Sequence, residues 1–296
     1  MTQNDSPDER TDTSDLTDAE LDAAILAGLV GCRLAEKDDD PELAGRYSIN
    51  DRIGRGGIGI VYRGHDPQIG REIAVKFLRP QWANDPLHRQ RFVEEAQIGG
   101  QLQHPGVVPV YDVQIDGEQP FFAMKLIEGR TLADALRARA SIEDDRHELL
   151  SVFEKVCQTM AYAHSRGVIH RDLKPANVMI GAFGEVQVVD WGLGKVLADS
   201  VGTDAPRPPA RRVATPRSAD EGSDALTSGT LLGTPAYMAP EQAQGSDAID
   251  QRTDVFALGA ILCELLTGTP PYTGSRREVI AKATSGELGE AWARLD

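Results

Sequence analysis

The centre of the chain reads His170-Arg171-Asp172-Leu173-Lys174-Pro175-Ala176-Asn177, and Asp190-Trp191-Gly192 follows after a short apolar run. Magnesium prefers hard oxygen ligands, which the Asp190 carboxylate and the Asn177 amide can supply. Asp172 can accept the proton of a hydroxyl group, and the Lys174 ammonium can offset negative charge that develops nearby. Taken alone, however, Asp and Asn in a loop are usually turn or capping residues. The rest of the sequence has to decide between these interpretations.

A glycine-rich segment lies upstream, with the sequence Gly54-Arg55-Gly56-Gly57-Ile58-Gly59-Ile60-Val61. In a dinucleotide-binding fold such glycines occupy a strand-to-helix turn, whereas here the following residues 60–63 are typical of a strand. The pattern therefore predicts a hairpin. Without Cβ atoms, its backbone amides could approach phosphate oxygens closely, although a plain glycine-rich hairpin is the alternative. The four candidate phosphate-binding residues are Gly54, Gly56, Gly57 and Gly59.

The next apolar strand, Ile73-Ala74-Val75-Lys76, ends in a lysine. A buried ammonium needs a counter-charge, and phosphate and carboxylate are the two candidates. At this point the chain resembles the protein kinase family, in particular bacterial serine/threonine protein kinases, from Tyr47 to its end. The resemblance implies that Lys76 holds ATP phosphates and pairs with Glu95 on the following helix. The neighbouring Glu94 is expected to be a solvated charge.

The same resemblance assigns roles to the central motif. Asp172 and Lys174 become catalytic residues together with Asn177 and Lys76, and Asn177 and Asp190 become ligands of Mg²⁺ beside ATP. The segment departs from the family at Trp191, where phenylalanine is usual. An adenine pocket is implied at six further positions: Val61, Ala74, Met124, Lys125, Ile127 and Met179.

The segment Gly233-Thr234-Pro235-Ala236-Tyr237-Met238-Ala239-Pro240-Glu241 resembles the end of the family's activation segment. Lys174 together with Thr234 follows the pattern of serine/threonine kinases, which implies protein substrates with aliphatic hydroxyl groups. Asp254 matches a helical aspartate that braces the catalytic loop, a structural role.

Regulation by phosphorylation is also implied. Arg171 precedes the catalytic aspartate, and arginine can grip a phosphate through two hydrogen bonds. The family's usual phosphorylation site falls at Thr230, with Thr227 nearby, and phospho-Thr230 is expected to pair with Arg171. Self-association for autophosphorylation in trans is a further expectation. The basic stretch 211–215 could be another autophosphorylation site, but a solvated loop without a role is the favoured interpretation.

The predicted fold class is α+β, a bilobal protein kinase fold with a sheet-rich N-lobe and a mainly helical C-lobe. Residues 1–46 are expected to be an acidic extension, partly disordered, with one short amphipathic helix at 16–35. The N-lobe is predicted over 47–128 and the C-lobe over 129–296, with a mobile insert at 199–223. Strands are expected at 47–53, 60–65, 72–78, 107–114, 120–126, 178–180 and 186–189, and helices at 87–102, 131–139, 148–165, 254–266 and 276–284.

The resemblance implies further helices after residue 284 and an arginine that pairs with Glu241. The sequence ends before such an arginine, so the C-lobe is expected to be incomplete and Glu241 to lack that partner. Truncation, completion by a partner and a degraded kinase remain open as explanations.

Bulk properties narrow the choice of partners. The 296 residues carry a formal net charge of −15, and residues 1–46 hold thirteen acidic and four basic side chains. An acidic chain repels phosphate backbones, so nucleic acid is not an expected partner. The three cysteines lack the spacing of a disulfide framework or a zinc site, which favours a cytoplasmic location. No apolar run reaches the roughly 18 residues of a spanning helix, so no membrane segment is expected.

Three functions compete. The first is a serine/threonine protein kinase that uses Mg-ATP. The second is a nucleotide-binding scaffold of the pseudokinase kind, suggested by the early end of the C-lobe. The third, a kinase for small molecules, is disfavoured by the segment 233–241, which implies a platform for protein substrates.

Overall fold

The computed structural model describes residues 43–117, 119–197, 213–215, 233–246 and 248–295. The predicted helix at 16–35, the candidate phosphorylation sites Thr227 and Thr230, and most of the insert lie outside the described residues.

The N-lobe is built on a six-stranded antiparallel sheet with the strand order β1-β2-β3-β4-β6-β5. Residues rich in β-branched and aromatic side chains form its central strands, and the inward faces pack into a core that contains Tyr62, Val75 and Phe121. The strands are β1 (Leu43–Ala44), β2 (Tyr47–Arg55), β3 (Gly59–Asp66), β4 (Arg71–Leu78), β5 (Val110–Gln114) and β6 (Phe121–Lys125).

Helix α1 (Pro86–Gln101) follows β4 after a single 3-10 turn at Pro80–Trp82. Its start is fixed by Asp85, whose carboxylate accepts hydrogen bonds from the backbone amides of Leu87 and His88. Phe92 of α1 packs against Phe122 of the sheet, with ring centroids 5.1 Å apart. These contacts hold the helix on one face of the sheet.

The C-lobe consists mainly of helices around a second core, which includes Leu132, Met160 and Ile261. Two small antiparallel sheets accompany the helices, one of three strands (order β10-β9-β7) and one of two (β11-β8). The helices of the described residues are α2 (Leu132–Ala138), α3 (Arg146–Ser165), α4 (Pro240–Ala243), α5 (Gln251–Thr267), α6 (Arg276–Ser285) and α7 (Gly289–Leu295). The strands are β7 (Gly129–Thr131), β8 (Val168–Ile169), β9 (Val178–Gly181), β10 (Val186–Val188) and β11 (Lys195–Val196).

The structure confirms the α+β bilobal fold, and the long predicted elements agree with it to within a few residues. The elements that the sequence did not indicate are short: β1, β7, β8, β11, α4 and α7. Each has few residues, so a periodic pattern cannot develop, and its pairing depends on contacts with distant segments.

The insert differs from the expectation of a solvated loop at residues 213–215. Val213 is 2% exposed and belongs to the core of the C-lobe, and Thr215 is 9% exposed. The backbone amide of Val213 donates to the carbonyl oxygen of Arg166 at 3.3 Å, next to Gly167, whose carbonyl accepts from the amide of Leu197 at 2.8 Å. The side-chain amide of Gln101 both donates to and accepts from the backbone of Ala214. An apolar side chain at position 213 has therefore docked this part of the insert.

Candidate active site

A cleft of about 360 Å³ lies between the sheet of the N-lobe and the first strands of the C-lobe. Its lining includes eleven of the residues predicted to bind nucleotide or metal: Gly54, Gly56, Val61, Ala74, Lys76, Glu95, Met124, Lys125, Ile127, Met179 and Asp190. The structure thus brings together residues that are more than 130 positions apart in the sequence. Gly57 and Gly59 belong to the same hairpin but do not line the cleft.

The glycine-rich segment is a hairpin between β2 and β3, as its pattern predicted. Gly54 pairs with Val61 and Arg55 with Ile60 across the two strands. The turn is closed by a hydrogen bond from the amide of Gly56 to the carbonyl of Gly59 at 2.8 Å. A Cβ atom at Gly57 would have no heavy atom within 4 Å. The Cα of Gly57 therefore faces open space at the tip of the hairpin.

Gly59 is the one glycine of the hairpin that close packing requires. A Cβ atom there would lie 2.7 Å from Cε of Lys76 and 3.1 Å from the carbonyl oxygen of Phe77. We expect Gly59→Ala to displace the Lys76 side chain and to lower the free energy of unfolding by about 1–3 kcal/mol. Gly57→Ala is the matched control and should change it by less than about 1 kcal/mol. Urea unfolding without nucleotide measures both, and equal stabilities of the two variants would contradict this packing role.

Lys76 and Glu95 form a buried ion pair. The Lys76 ammonium lies 2.5 Å from Oε1 of Glu95 and 3.5 Å from Oδ1 of Asp190, and both members of the pair are 7% exposed. The second carboxylate oxygen of Glu95 is buried and accepts no hydrogen bond from the described residues. Gly192 permits this arrangement, because a Cβ atom there would lie 3.1 Å from that oxygen.

The charges of this cluster depend on one another. Burial alone would disfavour the ammonium, but the carboxylates of Glu95 and Asp190 outweigh it and raise the pKa of Lys76. Burial raises the pKa of Glu95, and the Lys76 charge opposes the rise. The Lys76 ammonium is also the largest influence on Asp190, whose pKa is lowered. At neutral pH the cleft therefore presents a cation beside an ionised carboxylate.

Glu94 corrects one expectation. It was predicted to be a solvated charge, yet it is 6% exposed. Gln90, one helical turn earlier, donates a hydrogen bond to its carboxylate at 3.4 Å. Residues four positions apart are neighbours on a helix, so this contact satisfies one oxygen without the Glu94 side chain reaching the cleft.

Three of the four predicted catalytic residues, Asp172, Lys174 and Asn177, form a compact hydrogen-bonded group in the C-lobe. The Lys174 ammonium donates to Oδ2 of Asp172 and to the hydroxyl of Thr234, both at 2.8 Å. The amide of Thr234 donates to the other oxygen of Asp172 at 3.1 Å. These hydrogen bonds fix the direction of the Asp172 carboxylate. The side chain is 11% exposed, so part of it still reaches solvent. Lys174 thereby connects the loop of the central motif to the segment 233–241.

Asn177 and Asp190 offer oxygen atoms that suit a divalent cation. The Asn177 amide nitrogen donates to the backbone carbonyl of Asp172 at 2.8 Å, which turns its oxygen the other way. The backbone carbonyl of Asn177 accepts a hydrogen bond from the backbone amide of Val189 at 2.9 Å, which ties this loop to the residue before Asp190. The Asp190 carboxylate is 52% exposed and lines the cleft. Asp190 has left-handed backbone angles, φ 63° and ψ 65°, which aspartate tolerates better than most residues.

The described residues contain no group of three or more His, Cys, Asp or Glu side chains that could hold a metal unaided. A divalent cation at Asn177 and Asp190 would therefore need further oxygen ligands. Magnesium is commonly held by one or two carboxylates together with substrate phosphates, and this donor set fits that arrangement. The cleft, its lysine and its glycine hairpin likewise fit a nucleotide polyphosphate.

Asp254 braces the loop that carries Asp172. It is fully buried, and its carboxylate accepts from the backbone amides of His170 and Arg171 at 2.8 and 2.9 Å. It also lies 2.8 Å from the imidazole of His164. These contacts support the left-handed backbone of Arg171, φ 68°, directly before Asp172. The brace was predicted from resemblance, whereas its contact with His164 was not.

Trp191 is accommodated without an unsatisfied polar atom. It is 4% exposed, and its indole N–H donates to the carbonyl of Val188 at 3.3 Å. His170 packs against it, with ring centroids 4.7 Å apart. His170 itself accepts from the amide of Asp172 through Nδ1 and lies 3.1 Å from the carbonyl of Val189 through Nε2, a pattern that fits the neutral Nε2–H tautomer. The larger ring thus fills core volume behind Asp190.

Sequence reasoning missed several residues that line the cleft, among them Ile53, Val108, Val110, Phe122 and Val189. Phe122 lies directly opposite Lys76 in the β4–β6 pair, a register that is visible only in the structure. Glu241 also has a donor that was not foreseen. Its carboxylate accepts a hydrogen bond from the hydroxyl of Thr253 at 2.9 Å.

Comparison with known proteins agrees with this geometry. Residues 47–290 match the family model for the protein kinase domain. The chain belongs to the protein kinase family. This family uses ATP as phosphoryl donor, typically with a divalent metal ion, and acts on proteins.

Among curated proteins, the chain is similar to bacterial enzymes named serine/threonine-protein kinase PknD. It is 38% identical to the one from Chlamydia felis over 247 residues, which cover 80% of this chain and 26% of the relative. It is 38% identical to the one from Protochlamydia amoebophila over 253 residues, which cover 81% of this chain and 25% of the relative. It is 40% identical to the one from Chlamydia trachomatis serovar D over 240 residues, which cover 77% of this chain and 25% of the relative. The chain spans about a quarter of the length of these relatives.

No helix within the described parts of the chain combines the length and the apolar character needed to cross a bilayer.

Proposed function

We propose that this chain is a serine/threonine protein kinase, which transfers the γ-phosphoryl group of Mg-ATP to hydroxyl groups of protein substrates. The observation that carries the proposal is the contact of Lys174 with both Asp172 and Thr234 at 2.8 Å. It joins a candidate general base, a cation and the segment 233–241 in one group beside the nucleotide cleft.

Asp172 is proposed as the group that accepts the proton of the substrate hydroxyl. Its carboxylate is held by Thr234 from one side and by Lys174 from the other, so it needs little reorganisation when a substrate arrives. Lys174 stabilises negative charge on the transferred group. Asn177 orients the loop through its hydrogen bond to the Asp172 carbonyl.

Lys76 is proposed to orient the nucleotide phosphates. Glu95 holds the Lys76 ammonium in the cleft, and the raised pKa of Lys76 keeps it charged. Asp190 and Asn177 would hold Mg²⁺. The bound ion would neutralise phosphate charge and align the reacting groups. Val61, Ala74 and Met179 supply apolar surface for the adenine ring, with Met124 behind it and the backbone of Lys125 and Ile127 at its edge.

The proposed substrate class is supported by the Lys174–Thr234 contact and by the similarity to bacterial enzymes named serine/threonine-protein kinase. The alternative of a nucleotide-binding scaffold is disfavoured, because the residues needed for chemistry are present and hydrogen-bonded to one another.

Phosphorylation of Thr230, or of Thr227, is proposed to activate the enzyme through Arg171, and self-association would allow this modification in trans. The requirement for Mg-ATP supports a cytoplasmic site of action. Nucleic acid remains an unexpected partner on the net charge of −15.

The test uses the full chain with radiolabelled ATP, Mg²⁺ and a generic basic protein, followed by phosphoamino acid analysis. We expect label on serine or threonine that disappears with a chelator and in Asp190→Asn. Label on tyrosine, or no transfer by the wild type with either Mg²⁺ or Mn²⁺, would show that the proposed function is wrong.

A further inference from the structure

The tip of the glycine hairpin is attached to the turn that precedes helix α1. The carbonyl oxygen of Gly57 accepts two side-chain hydrogen bonds, from Nη1 of Arg79 and from Nε1 of Trp82, both at 3.2 Å. The carbonyl of Ile58 accepts a third, from the backbone amide of Arg79 at 2.9 Å. Two consecutive carbonyl groups of the hairpin are thus fixed by residues 79–82.

These attachments determine the direction of two backbone amides. In a trans peptide the N–H group points opposite to the C=O group of the same plane. Holding the carbonyl groups of Gly57 and Ile58 toward residues 79–82 therefore turns the N–H groups of Ile58 and Gly59 away from that turn. Backbone N–H groups in a glycine loop are donors of the kind that bind phosphate oxygens.

Trp82 is itself held by packing. Its ring stacks on the imidazole of His88, with centroids 3.9 Å apart and an interplanar angle of 10°. Trp82 and Ile58 both pack against the core cluster that contains Phe92 of α1. The same helix carries Glu95, the partner of Lys76. The attachment therefore links the hairpin to the helix that positions the phosphate-binding lysine.

We propose that Arg79 and Trp82 are positioning residues for the nucleotide phosphates, which hold the hairpin tip in its phosphate-binding conformation. The inference rests on the proposed function, since it concerns the same cleft. Both side-chain hydrogen bonds are solvent-exposed. Their main effect is on the geometry of the tip and not on the stability of the fold.

The test compares Mg-ADP, which carries phosphates, with adenosine, which does not. Trp82→Phe keeps an aromatic ring on His88 but removes the N–H donor, and Arg79→Met keeps the aliphatic stem and the backbone amide. By titration calorimetry on the full chain, we expect each variant to bind Mg-ADP about 2- to 12-fold more weakly, the range for one lost hydrogen bond. Adenosine affinity should stay within about twofold, and KM for ATP should rise more than kcat falls.

Hydrogen exchange without nucleotide gives a second measurement. In Trp82→Phe, amides of residues 54–60 should exchange faster than in the wild type, while those of α3 keep their rates. Unchanged Mg-ADP affinity in both variants, equal losses for ADP and adenosine, or unchanged exchange in the hairpin would each overturn the inference. If the wild type binds adenosine and Mg-ADP and both variants bind Mg-ADP with wild-type affinity, only the inference is overturned. If the wild type binds neither ligand, the proposed function is overturned as well.

Discussion

Asp172→Asn is expected to lower kcat for phosphoryl transfer by about 10²- to 10⁴-fold, the usual contribution of a general base. The amide keeps the size of the side chain and one acceptor oxygen for the backbone amide of Thr234, while its NH2 group loses the hydrogen bond from Lys174. The loop should stay in place, because Asp254 still accepts hydrogen bonds from the backbone amides of His170 and Arg171. The variant also loses the ability to take a proton from the substrate hydroxyl. Steady-state kinetics with radiolabelled ATP and a protein substrate measure the effect.

Two controls define this result. Binding of Mg-ADP should remain within about threefold of the wild type, because Asp172 does not line the nucleotide cleft. Asp116→Asn removes a charge from an exposed turn and should leave kcat unchanged. A variant Asp172→Asn that retains more than a tenth of wild-type kcat would contradict the role of general base.

Lys76→Met is expected to abolish activity and to destabilise the protein by about 3–5 kcal/mol, since it leaves Glu95 buried without its partner. The double variant Lys76→Met, Glu95→Met replaces the ion pair by two apolar side chains of similar length. It should regain most of the lost stability, because apolar replacements of buried pairs are often neutral, and it should remain inactive. Urea unfolding and the phosphoryl-transfer assay separate the two effects.

The pH dependence of the single variant provides an internal check. Burial already raises the pKa of Glu95 in the wild type, and loss of Lys76 removes the charge that opposes the rise. The folded variant then holds a proton that the unfolded chain releases, so its stability falls as pH increases. The deficit relative to the wild type should be larger at pH 8 than at pH 5. A deficit that does not change with pH, or a double variant as unstable as Lys76→Met, would contradict this account of the pair.

The sequence predicted the bilobal fold and most of the cleft. For each central motif, the residues next to it in the sequence help to decide between the possible interpretations. The hairpin of Gly54–Val61 follows from the strand after the glycines, whereas Glu95 was selected by the resemblance to the protein kinase family. Contacts between a side chain and a distant backbone atom have no such local pattern. The hydrogen bond from Trp82 to Gly57 could therefore be found only in three dimensions.

The burial of individual polar side chains could not be predicted from the sequence either. Glu94 and Thr215 both read as exposed polar residues, yet each is less than 10% exposed. For Glu94 the outcome depends on how closely α1 packs against the sheet, and the local sequence does not show this. For Thr215 the docking of Val213 into the core of the C-lobe decides the outcome, and a single apolar residue in a polar segment carries no periodicity.

The attachment of Leu197 and Val213 to the adjacent carbonyl groups of Gly167 and Arg166 has a practical consequence. Leu197 and Val213 are sixteen positions apart in the sequence, yet both are attached at neighbouring points of the C-lobe. When the two ends of a loop are fixed, the entropic cost of closing it grows by only about 0.6 kcal/mol for each doubling of its length. We therefore expect the protein to tolerate an epitope tag or a protease site inserted between Leu197 and Val213.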